Sequence, residues 1–318
     1  MIRRCVGSHA PTPTVDRSIA RAYGVESLCP LMGDNATIEL VHGRSKEVAM
    51  FQHLVVPVDG SAASWASVPI AARMASVVDG KLDVVTVVDR LADVGPAQVD
   101  LSDGLNRLGQ LAVDPTAQVL ASDSVARAIA NHVESVSGAT VVLSSHGHGR
   151  SAAVLGSTAD ELLRLVFGPL VVIGPHVAAD AGWLDGAYVV PIDGSESGEK
   201  IVPIAAAWAI EFGAVPWLVE VIDPDLRLTG DISESAYPAR IAHRIQAQTG
   251  HEVEYDVLHG DRPSRAIVDF AERMKASLIF SCTHGRTGLE RLRLGSVAAE
   301  IVRHSQCPVV LHRPPALQ

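Results

Sequence analysis

Short apolar runs alternate with longer amphipathic stretches along most of the chain. In the second half, Val/Ile-rich runs near 187–192, 215–222, 251–257, 277–282 and 308–312 predict strands, and a helical period predicts helices near 197–212, 233–249, 263–275 and 296–305. Pro203 and Pro263 each fall within the first turn or so of a helix, where a missing N–H costs little. The strand runs are continuously apolar, which marks strands buried on both faces, and their alternation with helices points to a parallel sheet covered on both sides. The first half follows the same order from residue 50 onward. Its stretch from Asp89 to Pro115 is broken by Gly and Asp, which predicts a short or irregular second helix.

The two halves are copies. Val55-Val56-Pro57-Val58-Asp59-Gly60-Ser61 returns 134 residues later as Val189-Val190-Pro191-Ile192-Asp193-Gly194-Ser195. Ser145-His146-Gly147 returns as Thr283-His284-Gly285 after 138, and Leu155-Gly156-Ser157 as Leu294-Gly295-Ser296 after 139. Gly168-Pro169-Leu170-Val171-Val172 matches Cys307-Pro308-Val309-Val310-Leu311, also after 139. Matches that keep their order with so little drift define a tandem duplication. The expected fold is therefore α/β, with two tandem doubly wound, parallel, five-stranded sheets, one in residues 50–174 and one in residues 187–314. Gly174 to Gly186, rich in Pro, Gly and Ala, is the join. Residues 1–49 have no counterpart in the second copy and read as a flexible extension, with Met50 as a candidate alternative start.

Composition narrows the function. Of 318 residues, 47% are hydrophobic and only 4% aromatic, and 26 basic against 36 acidic residues give a formal charge of −10. No Lys/Arg cluster offers the basic face that nucleic acid requires. The longest apolar runs, such as Ile201 to Ile210, are shorter than the roughly 20 residues of a membrane span, and Arg3 and Arg4 are not followed by an apolar signal core. Cys5, Cys29, Cys282 and Cys307 show no paired spacing, so reduced thiols in a cytoplasmic protein are expected.

In an open parallel sheet, ligands bind beyond the carboxyl ends of the strands. Two features of each copy fall there: the acidic residue closing the first strand, Asp59 or Asp193, and the glycine-bearing loop after the fourth strand, which ends in Gly-Ser at a helix N-terminus. Such a terminus offers unpaired N–H groups and the positive end of a dipole, which together favour phosphate. Ser296 reads either as a phosphate donor or as a plain N-cap.

These residues carry a resemblance. Cys282-Thr283-His284-Gly285, nine residues, then Gly295-Ser296 resembles the Gly-x-x-Gly, nine residues, Gly-Ser/Thr motif of the ATP-binding universal stress proteins. The surrounding Thr283–Leu289 run, Cys307-Pro308-Val309-Val310, the Val-Pro-Ile-Asp-Gly-Ser opening and the Val221-Ile222-Asp223 strand ending are similar to that family too. The resemblance spans roughly residues 51–313, as two copies. It implies strand order 3-2-1-4-5 and an adenine nucleotide as ligand, ATP with or without Mg2+. By the same resemblance, Asp193 reaches the ribose or adenine region, the Val221 backbone meets the adenine, and Gly285, Gly295, Ser296 and the Val297 amide hold phosphates, with Cys282 at the motif's first position; Arg286 reads either as steadying a phosphate or as a solvated loop residue. The first copy's counterparts are Asp59, Val87, Ser144, Gly147, Gly156, Ser157 and Thr158. Pairing through the fifth strands implies a pseudo-dimer within the chain, with a homodimer as a further expectation.

Both copies depart from the motif at its first glycine, which is Ser144 in one and Cys282 in the other. The first loop is also one residue short. If that misdirects two amides worth about 1.5 kcal/mol each, affinity falls on the order of a hundredfold, so the second copy is the better candidate. Other patterns are weaker. Gly147 to Ala152 mimics a dinucleotide fingerprint but follows the fourth strand, without the acidic partner. His251-Glu252 lacks the second His of a zinc helix, His146 and His148 make an incomplete metal site, and Asp89 and Asp223 read as turn caps. No Walker lysine and no placed base are present, so binding without efficient turnover is expected. Slow hydrolysis with Asp193 or His284 orienting water, and a nucleotide-free interaction protein, are the alternatives.

Overall fold

A computed structural model describes residues 52–146, 155–166, 168–225, 233–283 and 294–313. The first copy contains β1 (His53–Pro57), α1 (Ala62–Val77), β2 (Lys81–Val88), α2 (Val94–Leu108), β3 (Pro115–Ala121), α3 (Val125–Ser135), β4 (Ala139–Ser144), α4 (Ser157–Leu165) and β5 (Leu170–Ile173). The second contains β6 (Ala187–Pro191), α5 (Glu196–Glu199), α6 (Ile201–Phe212), β7 (Val215–Ile222), α7 (Ala236–Thr249), β8 (Glu254–His259), α8 (Pro263–Arg273), β9 (Leu278–Cys282), α9 (Ser296–His304) and β10 (Val309–His312).

The strands form one sheet of ten in the order β3-β2-β1-β4-β5-β10-β9-β6-β7-β8. Each half reads 3-2-1-4-5 from its own edge, and the two sheets expected from the sequence run together at the seam. There β5 and β10 pair antiparallel, Val309 opposite Val172, Val310 opposite Val171 and Leu311 opposite Leu170. All other neighbours are parallel. Both seam strands are short and almost wholly buried. Left as an edge, either would expose apolar side chains and unpaired backbone groups, so each closes the other. Because the seam is antiparallel, the carboxyl ends of the two halves point to opposite ends of the sheet.

A core lies on each face, and each crosses the seam. One holds Val56, Val142, Val171, Val310, Phe280 and Trp208, and the other holds Val55, Val141, Val172, Val309 and Ile279. Trp208 is fully buried, edge-on to Phe280 at 5.4 Å and to Phe212 at 6.0 Å. The join between the copies is pinned rather than loose. Arg73 of α1 donates from Nε to the Ala181 carbonyl at 2.7 Å and also reaches the Ala179 carbonyl. On the other side Ala178 N donates to Gln306 O at 3.2 Å.

The helix expected to be short or irregular is neither: α2 runs for 15 residues, entered through a 3-10 turn at Leu91–Asp93. Pro96 falls in its first turn, where it costs little. Gly104 is a contact rather than a break, since a Cβ there would fall 2.1 Å from the Trp65 ring. Gly104→Leu is expected to displace that indole and cost about 1–3 kcal/mol. Calorimetry should then read a melting point lower by roughly 2–4 °C per kcal/mol.

The copies also differ at the amino ends of their strands. In the first, the buried Asp83 carboxylate accepts from His132 Nε2 at 3.2 Å, and His53 Nε2 lies 2.8 Å away but out of line for a hydrogen bond. The strand register puts Trp217 where the first copy has Asp83, and there Trp217 packs on Phe270 at 5.8 Å. Among the described residues no helix is long and apolar enough to cross a membrane.

Candidate functional site

In the second half β6 lies between β9 and β7, so the strand order reverses there, and open parallel sheets take ligands in the crevice beyond the carboxyl ends at such a point, here those of β6 and β9. One wall is the turn after β6. Gly194 takes φ 78°, the left-handed region a glycine favours. Asp193 Oδ1 accepts from Ser195 N at 3.0 Å and from Ser195 Oγ at 2.6 Å, and Ser195 Oγ in turn accepts from Gly198 N at 2.9 Å, capping α5. Gly198 is needed for that close approach, because a Cβ there would sit 2.5 Å from Asp193 Oδ1.

A second set of side chains, invisible to the repeat comparison, braces the same turn. Tyr237 Oη, from the first turn of α7, accepts from Gly194 N at 3.1 Å and donates to Glu199 Oε1 at 3.0 Å. Arg244 holds Glu199 Oε2 at 3.2 Å. Burial, and then the Glu199 charge, push the Tyr237 phenol above its ordinary range, so it stays a neutral donor.

The other wall is the segment after β9. The Cys282 thiol is buried and directed at the Gly198 carbonyl at 3.7 Å, and burial pushes it up to about 12, so it is no thiolate. Thr283 N donates to His312 O at 2.9 Å, and Gly295 N donates to Thr283 O at 2.8 Å. A Cβ on Gly295 would stand 3.0 Å from that oxygen. The first backbone bond of α9 runs from Ala299 N to Gly295 O, so the amides of Ser296, Val297 and Ala298 precede the ladder. Ser296 and Val297 are exposed. Gly295, not Ser296, is the N-cap, with no side-chain cap bond. That removes the plain N-cap reading of Ser296, whose hydroxyl stands on the first helical residue.

The first half repeats this frame. Ser61 N donates to Asp59 Oδ1 at 3.0 Å, but the Ser61 hydroxyl turns to Ser64 Oγ at 3.2 Å. Gly156 caps α4 and donates to Ser145 O at 2.9 Å, leaving Ser157 exposed and Thr158 next in the first turn. Ser144 Oγ donates to His146 O at 2.7 Å. The glycine bonds eleven residues back here and twelve back in the second copy, so the missing residue lies between equivalent anchors. Gly147, Gly285 and Arg286 lie outside the described residues, as do His148 to Ala152 and His284. Val87 and Val221 stand near the carboxyl ends of β2 and β7, opposite Leu120 and Leu258.

The weaker sequence patterns resolve into structure. Asp223 Oδ1 accepts from Asp225 N at 3.0 Å, and His251 Nε2 meets the Ala214 carbonyl at 2.7 Å. Among the described residues no cluster of His, Cys, Asp and Glu could hold a metal ion. His312 was not singled out by sequence. Its Nδ1 is buried without a hydrogen-bond partner among the described residues, and burial pushes the imidazole down to about 4. The unfolded chain takes up that proton near 6.5 while the folded chain resists until about 4. Stability is therefore full above pH 6.5 and is lost as pH falls toward 4, by about 2 kcal/mol after allowing for partial exposure. His312→Leu is expected to flatten that stretch of a melting-against-pH curve.

The universal stress protein family matches residues 50–174 and again residues 188–313. The chain belongs to this family. As a tandem universal stress protein it is 28% identical over 291 residues to a universal stress protein of Mycolicibacterium smegmatis, covering 82% of this chain and 97% of that one. One from Methanocaldococcus jannaschii is 32% identical over 139 residues, 40% of this chain and 81% of its own length. Among solved structures, a universal stress protein from Archaeoglobus fulgidus DSM 4304 superposes with a TM-score of 0.57 at 19% identity, over 82% of this chain and 98% of that one. That likeness shows the fold.

Proposed function

We propose that this universal stress protein binds ATP in its second half and acts as a nucleotide-dependent regulatory module of the stress response, not as an efficient enzyme. The observation that carries the reading is the N-terminus of α9, where Ser296 and Val297 are exposed and their amides precede the helix ladder, at the same carboxyl-end side of the sheet as Asp193. Helix amides and dipole favour phosphate at such a place. The absence of a Cβ on Gly295 keeps the backbone approachable. In this reading Asp193 and the Val221 backbone take the ribose and adenine, and Gly285, Gly295, Ser296 and Val297 take the phosphates, with or without Mg2+. The first half is the weaker site. Bound nucleotide acts by its differential affinity for two states of the chain. The free Cys282 and Cys307 thiols suit the reducing cytoplasm in which we place the protein.

The test is the adenine-nucleotide content of freshly purified, then denatured protein, followed by titration with ATP. Close to one ATP per chain supports a single working site, and close to two would overturn the ranking of the halves. Multiple turnover near one per second would instead establish an enzyme. No bound nucleotide and no melting shift with ATP would leave an interaction protein.

A further inference from the structure

Each copy must hold its acidic turn in place, and the two do it differently. In the first, Ser64 stands where the second has Gly198, and its hydroxyl accepts from Asp59 N at 3.3 Å and from the Ser61 hydroxyl at 3.2 Å. In the second the turn is braced from a distant helix, through Tyr237, Glu199 and Arg244. Trp65 occupies the position of Glu199 in the first copy and packs on Gly104 of α2 instead. The brace is thus a property of one site, and no repeat comparison implies it.

Its placement gives it a role. The chain leaves β7 just past Val221, passes through the segment that leads into α7, and reaches Tyr237 one residue after α7 begins. One side chain therefore ties the strand-end side of the crevice to the Gly194 amide, next to Asp193. The Arg240 guanidinium lies over the Tyr237 ring at 5.6 Å and helps to fix it. A neutral hydroxyl that accepts from an amide and donates to a carboxylate uses both of its capacities, so its orientation is determined.

We propose that Tyr237, backed by Glu199 and Arg244, is the positioning residue of the second site, holding the Asp193–Ser195 turn in the shape that receives nucleotide. The inference rests on the nucleotide reading of that site but assigns a part the family motif does not contain. Tyr237 acts through the Gly194 amide rather than by touching ligand. Holding the turn before ligand arrives lowers the ordering cost of binding.

The experiment uses the full chain, Tyr237→Phe, and Glu199→Gln as a graded variant, whose amide oxygen still accepts from the phenol. Hydrogen exchange without nucleotide reads the turn, and calorimetric titration with ATP reads the site. Tyr237→Phe keeps the ring and loses one hydrogen bond, so exchange across residues 193–198 is expected to quicken about threefold to tenfold. ATP affinity is expected to fall by a similar factor with unchanged stoichiometry. Glu199→Gln keeps the phenol's acceptor but gives up the Arg244 ion pair, so both readings should move in the same direction by a smaller factor. Unchanged exchange in Tyr237→Phe overturns the proposal, as does unchanged affinity when the parent binds ATP. If exchange quickens but the parent itself binds no ATP, the nucleotide reading has failed and takes the positioning role with it, while the brace on the turn stands.

Discussion

Val310→Asp is expected to be the most damaging single change in this chain. Val310 is fully buried in β10, opposite Val171 across the seam and beside Phe280 on β9. The carboxylate would lie inside an apolar core shared by both halves. An unpaired buried charge costs several kcal/mol, about 4 or more here, which for a chain of this size lowers melting by roughly 10 °C or more. Because both cores cross the seam, calorimetry on the parent should show one transition rather than two. A Val310→Asp chain melting within a degree or two of the parent would mean that the seam is not packed in solution.

Gly295→Asp is expected to abolish ATP binding at the site proposed for the second half. The backbone at Gly295 takes φ −60° and ψ 151°, open to any residue, and although a Cβ would press on the Thr283 carbonyl at 3.0 Å, the larger objection is the charge. A carboxylate there would stand at the mouth of the α9 amides and confront the phosphates. At about 4 Å and an effective dielectric near 20, two charges repel by about 4 kcal/mol, and solvent screening reduces this to about 2–3 kcal/mol. Affinity should fall roughly a hundredfold. An aspartate at an N-cap is favourable for the helix itself and offsets the tight contact with the Thr283 carbonyl, so melting without nucleotide should change little while the shift produced by ATP disappears. Retained ATP stabilisation would place the nucleotide elsewhere.

Much of the architecture was legible because it is written in local periodicity. The strands of the second half fall within a few residues of the predicted runs, since a continuously apolar run of that length has few other uses. The second helix of the first half was misread for a physical reason. Gly104 lowers helix propensity locally, but the contact with Trp65 that rewards it comes from another helix, and propensity does not report tertiary contacts. The helix start at 296 was legible, but Ser296 was left between phosphate donor and N-cap because a Gly-Ser pair there offers two candidates for the cap, and only the backbone angles choose between them.

The candidate site divides the same way. Asp193, Gly295 and Ser296 were readable because the duplication presented each of them twice, in register with strand ends. Tyr237, Glu199, Arg244 and His312 were not. Their significance arises from neighbours 38 to 45 residues away for the tyrosine and arginine, and from burial for the histidine. By itself the sequence determined the duplication, the parallel α/β class of each half and the helix N-terminus beside an acidic turn, because these depend on short-range pattern and spacing. The tertiary structure alone decided that the two halves share one sheet, that their carboxyl edges face opposite ends, and that a distant tyrosine braces one turn and not the other. Those outcomes depend on which buried surfaces meet, and contacts between segments far apart in the chain leave no period in it.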